Sequence, residues 1–122
     1  MGKRILLVED FDDARSMMRF EIENPGHSVI EATNGDEAVS VALSSKPDLI
    51  LMDICMPGKD GLEATKEILS TDSLRETPIV AVTALGDSCR DQALALGCKE
   101  VVSKPLDTSS LGDVIERNLQ KY

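Results

Sequence analysis

Leu49 to Gly61 reads LILMDICMPGKDG. Four apolar residues, Leu49 to Met52, lead without polar alternation into Asp53, and Pro57, Gly58 and Gly61 then stop the strand and turn the chain. An apolar run of this kind marks a strand buried on both faces, as in a parallel sheet covered by helices. Asp53 is therefore expected at the carboxyl edge of that sheet, where open α/β folds bind their ligands. Asp also begins turns, so this segment alone leaves both roles open for Asp53.

Working outward, 122 residues suffice for one domain over 1–122 with a core of its own. The three cysteines, Cys55, Cys89 and Cys98, are odd in number and form no CxxC pair, which argues against a zinc site or a disulfide framework and for a reducing cytoplasm. The apolar run Ile5 to Val8 is too short for a signal peptide. No stretch approaches the roughly 18 apolar residues of a membrane span. With 13 basic against 22 acidic residues the formal charge is −9, the wrong sign for direct nucleic-acid binding. Aromatic residues are limited to Phe11, Phe20 and Tyr122, so platforms for base stacking are absent and the core must be aliphatic.

Lys3 to Val8 reads as a first strand, followed by four carboxylates in five residues: Glu9, Asp10, Asp12 and Asp13. Asp12 and Asp13 suit the first turn of a helix, whose dipole favours acids there. Ala14, Met17, Met18 and Ile22 continue that helix at helical spacing, interrupted by Glu21, until Asn24-Pro25-Gly26 ends it. Glu9 and Asp10 precede the helix, so its dipole does not account for them. Ser28 to Ala32 is a second, less apolar strand suited to a sheet edge. A helix opened by Asn34-Gly35-Asp36 then runs to about Ser45, with Ala38, Val41 and Ala42 inward. The strand at Leu49 to Met52 follows. Leu62 to Ser70 forms the next helix, carrying Leu62, Thr65, Ile68 and Leu69. Ile79 to Val82 is a strand ending at Thr83, and a helix over about Asp87 to Leu96 is stopped by Gly97. Lys99 to Ser103 is the last strand, ended by Lys104-Pro105. Asp107 is placed to cap a final helix bearing Leu111, Val114, Ile115 and Leu119. Five strands alternating with five helices predict an α/β sandwich on a parallel sheet.

Every strand but the second ends in a reactive side chain: Glu9 and Asp10 after the first, Asp53, Thr83, then Lys104. A parallel sheet gathers these on one edge. With LVED, LILMDICMPGKDGLEAT, VAVTA and SKPL in this order, the sequence resembles a response-regulator receiver domain, the phosphoacceptor half of a two-component signalling pair. The resemblance covers essentially the whole chain. It implies a flavodoxin-like (βα)5 doubly wound sandwich with a five-stranded parallel sheet of order 2-1-3-4-5, and a cis peptide between Lys104 and Pro105. It further implies Asp53 as phosphoacceptor, Thr83 and Lys104 as contacts to the phosphoryl oxygens, and Mg2+ held by Glu9, Asp10, Asp53 and the backbone carbonyl of Cys55. The chemistry agrees, since clustered carboxylates repel one another and a hard divalent cation offsets that repulsion.

His27, the sole histidine, is expected on the surface and away from this edge, so a phosphohistidine must come from a histidine kinase or a histidine phosphotransfer protein. Two positions depart from the family pattern. Val101 stands where an aromatic residue usually fills the space vacated by the switch threonine, so transmission to the face of helix four, strand five and helix five is expected to depend on the loop 84–88. Leu85 cannot orient a water, so the acyl phosphate is expected to persist. No effector domain follows Tyr122, which favours a stand-alone regulator or relay shuttle acting on a downstream protein target; a receiver excised from a hybrid kinase is the alternative. A haloacid-dehalogenase-like phosphatase would need a second Asp at Cys55. A flavodoxin-like electron carrier would need a Ser/Thr-rich phosphate loop where this chain has carboxylates.

Overall fold

The computed structural model describes residues 2–23, 26–54, 61–83, 90–103 and 108–119. Strand β1 (Arg4–Val8), helix α1 (Asp12–Glu23), β2 (Ser28–Ala32), α2 (Gly35–Ser45), β3 (Leu49–Asp53), α3 (Gly61–Leu69), β4 (Ile79–Thr83), α4 (Arg90–Leu96), β5 (Glu100–Ser103) and α5 (Thr108–Leu119) follow in order. All strand pairs are parallel and the sheet order is β2-β1-β3-β4-β5, as expected, with β2 on an edge.

Alternate side chains along each inner strand leave on opposite faces of the pleat. Leu6, Val8, Ile50, Met52, Ile79 and Ala81 pack with Ala38 and Ala42 of α2, Ala64 and Ile68 of α3, and Ala93 of α4. Ile5, Leu7, Leu49, Leu51, Val80 and Val82 pack instead with Met18 and Ile22 of α1 and Leu111, Val114 and Ile115 of α5. The uninterrupted apolar runs of β1, β3 and β4 thus serve two cores, one on each side of the sheet.

Helix ends follow local chemistry. Asn34 caps α2 by accepting the Glu37 N–H at 2.8 Å, while the Glu37 carboxylate reaches back to the Thr33 N–H. Gly97, at φ +118°, ends α4 with the N–H of Cys98 on the Ala93 carbonyl and its own N–H on Leu94, a Schellman arrangement that a left-handed residue makes possible.

Several expectations change. Met17 is 66% exposed, and α1 buries a narrower stripe of Met18 and Ile22, because α1 faces only the sheet and α5. A short 3-10 helix, Asp72–Leu74, was not foreseen; one buried leucine among polar residues produces no periodicity, yet Leu74 joins the core beside α2 and α3. Strands β1 and β5 each start one residue later than expected, at Arg4 and Glu100, and α3 runs Gly61–Leu69 instead of Leu62 to Ser70. Residues 24–25, the beginning expected for α4 at 87–89, and the Lys104-Pro105 and Asp107 positions lie outside the described residues.

Candidate functional site

Because every strand runs the same way, the ends of β1, β3, β4 and β5 share one edge of the sheet. Val8 of β1 lies opposite Met52 of β3, so Glu9 and Asp10 emerge beside Asp53. Asp53 is itself in register with Val82, and Thr83 with Ser103. One carboxylate oxygen each from Glu9, Asp10 and Asp53 lie within 4.8 Å of one another. Glu9 and Asp53 are buried, at 1% and 3% exposure, while Asp10 is exposed. Two acidic walls and one open side result.

At such a separation two buried carboxylates repel by roughly 3 kcal/mol at an effective dielectric constant of about 20. A hard cation with oxygen ligands removes that cost, and an all-carboxylate donor set open to water on one side suits such an ion. Thr83 closes β4 at this edge, whereas Cys55, Lys104 and the loop 84–88, with Leu85, lie outside the described residues.

Backbone contacts hold the cluster in place. The Glu9 N–H donates to the Ala32 carbonyl at 3.1 Å, and the Phe11 N–H donates to Glu9 Oε2 at 3.1 Å. Gly61, the first residue of α3, packs directly on the end of β3: a Cβ there would stand 2.4 Å from the Asp53 carbonyl oxygen and 2.5 Å from Ile54 Cα. Glycine at 61 is therefore demanded by close approach.

Arg15 carries no motif in the sequence, and its role emerges from its contacts. Its guanidinium bonds Asp12, Glu31 on β2, and the Glu9 carbonyl, and hydrogen bonding to Asp12, with Glu31 adding to it, holds its pKa above the ordinary value. The sole available signal was its spacing of three from Asp12 on a helix that starts at the acidic pair. On the far side of the sheet Cys98 is buried, and burial pushes its thiol up to about 11.

His27 lies at the amino end of β2, away from the acidic cluster as expected, yet its side chain is only 7% exposed. Nδ1 accepts the Lys3 N–H at 2.9 Å and Nε2 lies 2.7 Å from Glu116 Oε2, so the ring is covered by the start of β1 and by α5. Accepting through Nδ1 leaves Nε2 to carry the proton donated to Glu116. Among the described residues no helix is long and apolar enough to cross a membrane.

Comparison with known proteins agrees with this arrangement. The response regulator receiver domain family matches residues 5–116. The chain is 37% identical over 120 residues to the polar-differentiation response regulator DivK of Brucella anthropi, covering 98% of each protein. It is 36% identical over 119 residues to the chemotaxis protein CheY of Thermotoga maritima, covering 96% of this chain and 98% of that one. Among solved structures, the receiver domain of a sensor histidine kinase from Pseudomonas aeruginosa PAO1, crystallised with a magnesium ion coordinated in its active site cleft, superposes with a TM-score of 0.91 at 32% identity over 98% of both chains. With a parallel sheet of the same kind, an acidic cluster at its carboxyl edge and relatives that match end to end, the chain belongs to the response regulator receiver domain family, the signalling switches of two-component systems.

Proposed function

We propose that the protein accepts a phosphoryl group on Asp53 from a phosphohistidine of a histidine kinase or a histidine phosphotransfer protein, and passes the signal to a downstream protein target. The observation that carries this reading is the convergence of Glu9, Asp10 and Asp53 within 4.8 Å at the end of the middle strand. A carboxylate oxygen of Asp53 attacks phosphorus in line as the bond to the donor imidazole nitrogen breaks. Glu9, Asp10, Asp53 and the backbone carbonyl of Cys55 would hold Mg2+, which when bound would supply positive charge to the phosphoryl oxygens. Thr83 and Lys104 contact those oxygens as well, and Lys104 neutralises charge that Asp53 alone would repel.

His27 sits at the opposite end of the sheet and is tied to Lys3 and Glu116, which supports a donor on another protein. The added phosphoryl charge of about −1.5 to −2 then favours a second packing of the face made by α4, β5 and α5, a population shift that a partner reads. The cysteine usage favours a cytoplasmic setting.

Incubation with acetyl phosphate and Mg2+, followed by intact-mass measurement, tests the chemistry. One phosphoryl group is expected on the parent only when Mg2+ is present, and none on Asp53→Asn. Equal labelling of Asp53→Asn, or labelling of the parent with Mg2+ chelated, would overturn the assignment.

A further inference from the structure

Arg15 lies in the first turn of α1 with its side chain 16% exposed, and its fork reaches an acid on its own helix, one on β2 and the turn after β1. Nη1 donates to the Glu9 carbonyl oxygen at 3.0 Å, Nε to Glu31 Oε1 on β2 at 3.0 Å, and Nη2 to Asp12 Oδ1 at 2.5 Å. The Glu9 main chain is consequently held from both sides, its N–H by Ala32 and its C=O by Arg15. A peptide unit is planar, so fixing the Glu9 carbonyl also fixes the N–H and Cα of Asp10.

We propose that Arg15 is a positioning residue for the acidic cluster: by gripping the Glu9 carbonyl it sets the peptide plane through which Asp10 is presented beside Glu9 and Asp53. This rests on the cation site proposed above. Pairing with Asp12 and Glu31 accounts for two of the three bonds, and charge does not demand the third, to the neutral Glu9 carbonyl. Geometry does, since a planar fork spans three acceptors that the point charge of a lysine ammonium cannot.

Arg19 supplies the internal comparison. It shares Glu31, at 2.5 Å, and pairs with Glu23 at 3.0 Å, so it also ties α1 to β2, but neither bond reaches the turn from Glu9 to Asp10. Loss of Arg19 reports on the general attachment of α1. Loss of Arg15 reports on that attachment and on the peptide leading to Asp10.

The test is calorimetric Mg2+ titration of the parent, Arg15→Ala, Arg15→Lys and Arg19→Ala, together with amide hydrogen exchange at Phe11 in metal-free protein. Both Arg15 variants are expected to bind Mg2+ about tenfold more weakly, the usual scale for removing a group that orients metal ligands. They should also exchange the Phe11 amide faster, because that N–H is bonded to the Glu9 carboxylate. Arg19→Ala should lose thermal stability while keeping the Mg2+ affinity and the Phe11 protection of the parent. Parent-like affinity and protection in Arg15→Ala would overturn the inference, as would an equal loss in Arg19→Ala. If the parent itself binds no Mg2+, the proposed cation site falls, and Phe11 exchange alone decides: faster only in the Arg15 variants supports positioning, unchanged rejects it. Should Arg15→Ala fail to fold, Arg15→Lys carries both measurements.

Discussion

At Cys98 the covalent chemistry of a side chain is set by its surroundings. The thiol is buried between α4 and β5, and desolvation of the thiolate lifts its pKa from the ordinary 9.0 to about 11. Between those values an unfolded chain releases the proton while the folded chain keeps it, so the folded state loses stability as pH rises across that window. The loss should total about 1 to 3 kcal/mol. Urea melts of the parent and Cys98→Ala at pH 8 and at roughly pH 11 check this: the parent is expected to lose that much more than the variant, and parallel losses would refute the burial argument. Below pH 9 the thiol stays protonated, which keeps it a weak nucleophile. Arg15 and Gly61 show the complementary situation, in which a residue unremarkable in the sequence is fixed by what packs on it. Gly61 earns its place through the approach of α3 to the Asp53–Ile54 backbone, and Arg15 through acceptors on its own helix, on β2 and in the turn that follows β1.

Among the elements, β5 carries the departure most relevant to signalling. Val101 is buried in the core shared with α2, α3 and α4, and it has no aromatic ring that could swing between an inner and an outer position. A valine has few χ1 states and cannot relay a threonine movement by rotation. Val101→Ala is therefore expected to cost about 1 to 2 kcal/mol of stability through the lost methyl groups, while leaving phosphorylation-dependent partner binding unchanged. A pull-down with phosphorylated and unphosphorylated protein provides the check, and complete loss of the difference in Val101→Ala would contradict it. Element boundaries themselves were largely legible: the Asn34 cap, the Gly97 stop and the apolar run into Asp53 are local signals that survive folding unchanged. The inner stripe of α1 was less so. Periodicity marks which residues could face inward, and only the packing of α1 on the sheet and α5 left Met17 outside and Met18 inside.

For the molecule as a whole, stability and function oppose each other at the carboxyl edge. Glu9, Asp10 and Asp53 bring three acidic oxygens within 4.8 Å of one another, a spacing at which like charges repel and a bound cation offsets the repulsion. Mg2+ is therefore expected to raise the melting temperature of the parent, with a gain of about 2.7 kcal/mol at a hundred times the dissociation constant. Asp10→Asn should melt higher than the parent without Mg2+ and gain little when it is added. Differential scanning calorimetry with and without Mg2+ checks both halves, and a parent indifferent to Mg2+ would sink the prediction. The alternation of elements, the parallel sheet and the residues at its strand ends were already legible along the chain, because strand burial, caps and turns are written in neighbouring residues. The sequence could also place His27 away from the site. Only the tertiary structure decided that the ring of His27 is covered by β1 and α5, that Leu74 fills the core beside α2 and α3, and that Arg15 grips the peptide before Asp10. Those outcomes join residues distant in the chain, or depend on how two elements dock, and no pattern along one strand or helix encodes the identity of its partner.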